Sequence, residues 1–171
     1  MTREEFIEVL DKEGYSHEID GDKIIVKKDD NSDREGHILK ITSIPSNIIF
    51  KCEGNLIFPY LTSLADGIEF RNNGRVSLRE MKSIPSDIKF NNKGSVWAEE
   101  LENIPTGFEF RNEGAIFLKN IRSIPSGVKF NNDGGVYINT YTSINPWRGD
   151  SIDGIDNKRL VNLLIKQGMF I

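Results

Sequence analysis

Between Ile38 and Pro146 the apolar positions recur at a strict interval of 20 residues. Phenylalanine stands at Phe50, Phe70, Phe90, Phe110 and Phe130, and glycine at Gly54, Gly74, Gly94, Gly114 and Gly134. A further column runs Ile44, Leu64, Ile84, Ile104, Ile124, Ile144. These columns hold one register without an insertion, so the chain repeats a single structural unit. Inside a unit, polar and apolar positions alternate with the period of two that marks strands. Around Ile84, the residues Ile88, Phe90 and Asn92 alternate with Lys89 and Asn91; after Gly94, Val96 and Ala98 alternate with Ser95 and Trp97. Leu101 and Ile104 close the unit. Pro85-Ser86-Asp87, Pro105-Thr106-Gly107 and Pro125-Ser126-Gly127 turn into the next one, with proline fixing φ and glycine or aspartate tolerating a left-handed backbone. No segment of the array has the length and periodicity of a helix.

One such unit cannot bury its apolar side alone. Stacking units about 4.8 Å apart does so, and it pairs each strand with those above and below. The pattern therefore predicts a mainly β protein, a parallel β-solenoid of about five 20-residue coils spanning 37–147. The phenylalanine column becomes an internal ladder, each contact contributing about 0.5–1.5 kcal/mol beyond area burial. Asn72, Asn92, Asn112 and Asn132 follow the inward phenylalanines by two, so they are expected inside, satisfying backbone groups at a turn. Cys52 takes the same column in the first coil and reads as a small core residue. Outward charges alternate in sign from coil to coil, as in Glu69, Lys89, Glu109, Lys129; in Arg79, Glu99, Lys119; and in Lys82, Glu102, Arg122. Glu80 above Glu100 is the exception.

Open solenoid ends invite aggregation, so caps are expected. Residues 1–36 read as a helix and hairpin. Thr2-Arg3-Glu4-Glu5 is a capping box, and Phe6, Val9 and Leu10 form the apolar stripe of a helix ending at Gly14. Asp20-Gly21 reads as the hairpin turn, placing Tyr15, His17, Ile24 and Val26 on one face and setting Glu18 opposite Lys23. Residues 148–171 read as a helical cap starting near Asp156, with Leu160, Leu163 and Leu164 buried near Trp147 and Gly168 as its stop. All three parts make one domain.

Composition narrows the function classes. The net charge of −4 argues against a dedicated nucleic-acid binder. A lone cysteine rules out an internal disulfide framework, and Met1-Thr2-Arg3-Glu4-Glu5-Phe6 lacks a signal-peptide core, so a cytoplasmic location is expected. No stretch reaches the roughly 18 apolar residues of a membrane span.

The repeat Ser123-Ile-Pro-Ser-Gly-Val-Lys-Phe-Asn-Asn-Asp-Gly-Gly-Val-Tyr-Ile138 resembles repeats in uncharacterised proteins of bacteria and bacteriophages, short solenoids related to leucine-rich repeats. The resemblance covers about two thirds of the chain and implies the architecture without transferring any functional residue. It also implies a phage or mobile-element accessory protein that inhibits a host enzyme or defence factor. Asn132 follows Phe130 by two positions where the ordinary leucine-rich repeat has three, which argues against a helix-backed horseshoe.

Candidate chemistry is sparse. His17 lies on the apolar face of the hairpin and reads as a packing residue; His37 opens the first coil without an evident partner. Asp150-Ser151-Ile152-Asp153-Gly154-Ile155-Asp156 lacks the spacing and closing glutamate of a calcium loop. Arg148-Gly149-Asp150 matches an adhesion tripeptide by letter alone. Glu99-Glu100 raises a glycosidase reading, but Arg79 and Lys119 would hold Glu99 in its charged form, against the raised pKa that a general acid needs. No enzyme, metal or cofactor is expected. One feature exceeds architecture: the outward column Ile57, Ser77, Trp97, Phe117, Tyr137, lying between inward pairs such as Val96 and Ala98. Contiguous outward aromatics anchor interfaces. The expectation is a non-catalytic protein-binding module, meeting a partner or a second copy through Ile57, Trp97, Phe117 and Tyr137. Carbohydrate recognition by the same ridge is the alternative. Equally open at this point is a purely structural column that stabilises the sheet or lies under a terminal segment.

Overall fold

The computed structural model describes residues 1–28, 37–122, 124–138 and 142–144, the last three by their backbone. The chain is a mainly β protein with one N-terminal helix and a parallel β-solenoid of about five coils. Helix α1 (Arg3–Lys12) opens it, with Thr2 Oγ1 accepting the Glu5 amide at 3.2 Å and Glu5 Oε2 accepting the Thr2 amide at 2.8 Å. That reciprocal pair is the capping box read from the sequence. Phe6 and Leu10 are buried, and Gly14 follows the helix with φ +70°.

Strands β1 (Ser16–Asp20) and β2 (Lys23–Lys28) form the hairpin. Its two-residue loop is Gly21-Asp22, one position later than expected, because Asp20 pairs with Lys23. Gly21, at φ +62°, supplies the left-handed first position. Glu18 consequently lies opposite Ile25, and its carboxylate takes Lys27 at 2.6 Å instead of Lys23. Tyr15, Ile24 and Val26 face the core as expected, while His17 is half-buried with Nδ1 3.4 Å from Asp11 Oδ1. Strand β2 is in effect the first rung of the solenoid.

The coils then supply β3 (His37–Ile38), β4 (Ser43–Ile44), β5 (Ile48–Cys52), β6 (Leu56–Ile57), β7 (Ser63–Leu64), β8 (Glu69–Phe70), β9 (Val76–Ser77), β10 (Lys89–Phe90), β11 (Val96–Trp97), β12 (Glu109–Phe110), β13 (Ile116–Leu118), β14 (Lys129–Phe130) and β15 (Val136–Ile138). Every coil turns through three sides. The first carries the ladders β2-β5-β8-β10 and β12-β14, the second β3-β6-β9-β11-β13-β15, and the third β4-β7 with a bridge from Ser83 to Asn103. All of these pairings are parallel, with residues 20 apart in register from β4 onward, as in Phe90↔Phe70 and Val96↔Val76; at the N-terminal end β3 meets β6 at an offset of 19, Ile38↔Ile57, and β2 meets β5 at 24, Val26↔Phe50.

Inside, the phenylalanines stack face to face: Phe50–Phe70, Phe70–Phe90, Phe90–Phe110 and Phe110–Phe130 have centroids 5.3, 5.4, 5.7 and 5.4 Å apart. Phe6 of α1 closes the column edge-on against Phe50 at 6.4 Å. Beside this column runs the asparagine ladder. Asn92 Nδ2 donates to the Gly74 carbonyl at 3.2 Å and the Gly94 carbonyl at 2.7 Å, and Asn112 repeats the arrangement on Gly94 and Gly114. Each amide thus ties its own turn to the turn below. Cys52 occupies the same column, 1% exposed.

The glycine column answers to crowding. A Cβ on Gly114 would sit 2.5 Å from the Gly94 carbonyl carbon and from the Ser95 amide nitrogen, both backbone atoms. At the turns between coils the left-handed residues are Asn47, Gly67, Gly107 and Gly127, the second in a turn where Ala65 replaces the proline. Asp87 departs from the expected left-handed role; its carboxylate accepts the Gly67 amide at 2.6 Å across the coil boundary.

The array also ends differently from expectation. Ile144 was expected to continue the column above Ile124. Instead β16 (Thr142–Ile144) reverses and pairs antiparallel with β15, Ile144 opposite Val136. The last coil has an unpaired strand edge, and reversal gives that edge a hydrogen-bonding partner. The predicted helix from Asp156 and its contacts near Trp147 lie outside the described residues.

Gly114→Ala is expected to destabilise the protein by about 1–3 kcal/mol, because the colliding atoms are backbone and cannot rotate away. Asn92→Leu removes the donor of two buried carbonyls and is expected to cost about 2–4 kcal/mol. Urea titration followed by circular dichroism measures both; a change of a few tenths in either would contradict the ladder.

Candidate functional site

The outward column lies on the second side of the solenoid. Its members are adjacent in register: Ile57↔Ser77, Ser77↔Trp97, Trp97↔Phe117, Phe117↔Tyr137. The neighbours Val76, Leu78, Val96, Ala98, Ile116, Leu118, Val136 and Ile138 are buried, which leaves the intervening side chains no direction but outward. The aromatics are contiguous. Trp97 and Phe117 have centroids 4.9 Å apart at 53°, and Phe117 and Tyr137 stack at 4.7 Å and 6°. All three, and Ile57, are half-buried; Ser77 is 4% exposed and interrupts the ridge.

Phe117 and Tyr137 cover each other's facing sides, and Trp97 leans against Phe117 at a tilt. Phe117 has Trp97 on one side and Tyr137 on the other, so its rim is what points to solvent. Trp97 is covered from the second coil by two guanidinium groups, Arg75 at 5.0 Å and Arg79 at 4.9 Å from the ring centroid. These arginines flank Ser77 by two positions each, so period-two alternation puts them on its face. Those offsets mark them in the sequence, although the alternating column Arg79, Glu99, Lys119 points to Glu99 as the partner of Arg79. In the structure Glu99 is held by Lys119 at 3.0 Å. Among the described residues no carboxylate lies within ion-pair distance of Arg75 or Arg79. Arg75 Nε is shielded from solvent and makes no hydrogen bond there.

The first side carries a polar groove of about 490 Å³, lined among others by Glu69, Arg71, Lys89, Asn91, Glu109 and Arg111. Glu69 is 8% exposed and takes two bonds from Arg71, at 2.6 and 2.7 Å, and one from Asn91 at 2.6 Å. Glu109 repeats this with Arg111 at 2.6 Å and with Asn131. The expected column of alternating charge is present, but each glutamate pairs first with the arginine two residues on. Burial pushes the Glu69 carboxyl up, yet the bonds from Arg71 and Asn91 and the charges of Arg71 and Lys89 outweigh it, leaving the pKa lowered. For Glu109 the Arg111 bond is the largest cause of a lowered value. A general acid needs the opposite shift.

At the N-terminal end His37 is buried and does have a partner: Nε2 donates to the Glu53 carbonyl at 2.7 Å. Its ring meets Tyr15 edge-on at 6.0 Å, and Lys28 Nζ sits 4.5 Å above the Tyr15 ring. Burial, with Cys52 and Glu13 adding to it, raises the Tyr15 phenol well above its ordinary pKa. Glu99 and Glu100, the pair considered for glycoside chemistry, go to Lys119 and to Asn120, whose amide donates at 2.7 Å. Among the described residues no cluster of His, Cys, Asp or Glu could hold a metal ion, and no helix is long and apolar enough to cross a membrane. Arg148-Gly149-Asp150 and the aspartates to Asp156 lie outside the described residues.

Fold and surface together define a β-solenoid repeat protein bearing an aromatic ridge on one side. No family model, curated protein or solved structure matches the chain.

Because the folded-state pKa of Glu69 lies below its unfolded value, its contribution to stability is present above about pH 5 and fades as pH falls through the folded value. Wild type is therefore expected to lose stability between about pH 5 and 3 more steeply than Glu69→Gln, which should be about 1–2 kcal/mol less stable at neutral pH. Urea midpoints across that range test this; parallel pH profiles would contradict it.

Proposed function

We propose that this protein is a non-catalytic protein-binding module whose contact surface is the ridge of Ile57, Trp97, Phe117 and Tyr137. One observation carries the reading: three aromatic side chains stand in unbroken contact on the outward side of a sheet whose inward side already fills the core. A column needed only for stability has no requirement for aromatic rims at the surface, whereas Trp and Tyr at the centre of a patch are the usual anchors of protein association. The likeness of the repeat to those of bacterial and phage proteins favours a partner that the module inhibits, a host enzyme or defence factor, in the cytoplasm.

Carbohydrate recognition is the weaker reading on this geometry. Sugars stack on open aromatic faces, and Phe117 has one face stacked on Tyr137 and the other crowded by the tilted Trp97 ring. The lowered carboxyl pKa values in the groove of the first side likewise favour a non-catalytic role.

Trp97→Ser/Tyr137→Ser is expected to keep cooperative unfolding while weakening association by about tenfold or more. Wild-type and variant baits are compared in one host lysate by quantitative mass spectrometry, and self-association is read by light scattering. Equal capture and equal mass for both proteins would remove the proposal.

A further inference from the structure

Resting on the ridge as the contact surface, the geometry points to the chemistry of its partner: we infer that it is an acidic protein segment, which sets carboxylates against Arg75 and Arg79 and apolar side chains along Phe117 and Tyr137. The chain carries more acid than base, 26 against 22, and among the described residues Arg71, Arg111 and Arg122 are spent on carboxylates, those of Glu69, Glu109 and Glu102, while Arg3 donates to the Asp22 carbonyl. Arg75 and Arg79 are instead laid over Trp97 and meet no described carboxylate within ion-pair distance. A guanidinium over an indole face keeps terminal N–H groups for a carboxylate acceptor; in Arg75, whose Nε is shielded, these are the two terminal nitrogens. Ordering these two side chains beforehand reduces what a partner must spend in immobilising them.

The rings add to this. An aromatic ring is negative on its faces and positive at its rim. Phe117 presents its rim, so the ridge continues the positive potential of the two arginines. Lys119 is already matched by Glu99 at 3.0 Å, which confines the uncompensated charge to the Trp97 end. The surface therefore has polarity: a cationic end at Arg75 and Arg79 and an apolar end at Tyr137. Single-stranded nucleic acid, the other polyanion, needs open faces for base stacking. Here Phe117 and Tyr137 stack on each other and two guanidinium groups lie over Trp97, which takes up much of that face area.

The test pans a random linear-peptide display library against the intact protein and measures survivors by fluorescence anisotropy. The expected survivors carry Asp or Glu beside Leu, Ile or Trp, and bind Arg75→Gln/Arg79→Gln about tenfold or more weakly. Arg75→Lys/Arg79→Lys should recover only part of the loss, since an ammonium restores the charge but not the planar set of donors. Binding should also weaken as salt rises from about 0.05 to 0.5 M. Survivors without acidic residues, no survivors, or equal binding by the glutamine variant overturn the inference. If Phe117→Ser abolishes binding while the arginine variants do not, the ridge stands and only its charge preference falls. If neither matters, both fall. Preferential binding of an oligothymidylate probe, or a dimer by light scattering in place of peptide binding, also overturns it. Should the double glutamine variant unfold by circular dichroism, exposed Arg79→Gln alone and the salt dependence of wild type decide the matter.

Discussion

The structure rests on one constraint: backbone strands 20 residues apart must pair in parallel, rung upon rung. The Asn91 amide donates to the Phe70 carbonyl and the Asn131 amide to the Phe110 carbonyl, both at 2.8 Å, and that contact brings phenylalanine over phenylalanine and asparagine over asparagine. The same pairing explains the intolerance at Gly114, where the coil below leaves no room for a Cβ. The helix α1 adds Phe6, which closes the phenylalanine column against Phe50, and Leu10, buried in the same core. Each coil has little core of its own and draws its burial from its neighbours, so the stability of the array is a property of the stack.

The outward column follows from the same constraint. When inward residues are locked by the ladder, alternation leaves positions 57, 77, 97, 117 and 137 no alternative to the surface, and repetition brings them into contact. A folded helix would scatter such residues around its axis. A solenoid collects them into a line, which is why a short chain can present three rings in continuous contact. The interruption at Ser77 also acquires a meaning, since the small side chain makes space in which Arg75 and Arg79 lie on Trp97.

Much of this was legible in the sequence. Period 20 located the coils, period two assigned Phe90 inward and Trp97 outward, and Thr2 with Glu5 marked the helix start. The rest was hidden for definite reasons. Glycine at 94 and 114 reads equally well as a turn residue or as a point of close approach, and only coordinates separate the two. The charge columns predict coil-to-coil pairing, which Glu99 with Lys119 and Glu102 with Lys82 and Arg122 show, yet on the first side Arg71 reaches Glu69 within its own coil because the long side chain folds back over two residues. The reversal at Thr142 answers an edge that exists only in three dimensions. His37 finds a backbone carbonyl, a partner that side-chain patterns do not reveal. Arg75 and Arg79 carried their signal openly, at two positions either side of Ser77, but counting columns of like residues passes over a column of one.

The first side of the solenoid has a rhythm of its own. Glutamate with arginine at 69 and 71 is followed by lysine with asparagine at 89 and 91, then the couplet returns at 109 and 111 and again at 129 and 131. Asn91 serves Glu69 and Asn131 serves Glu109, so each glutamate draws on two successive coils. The unit that tiles without frustration is accordingly forty residues long. Lengthening by a single coil would set two glutamates or two lysines face to face, whereas a duplicated pair would pass unnoticed by the electrostatics. Growth and shrinkage of such an array through gene duplication should proceed in even steps, with the aromatic line on the neighbouring side extended or cut back two rungs at a time.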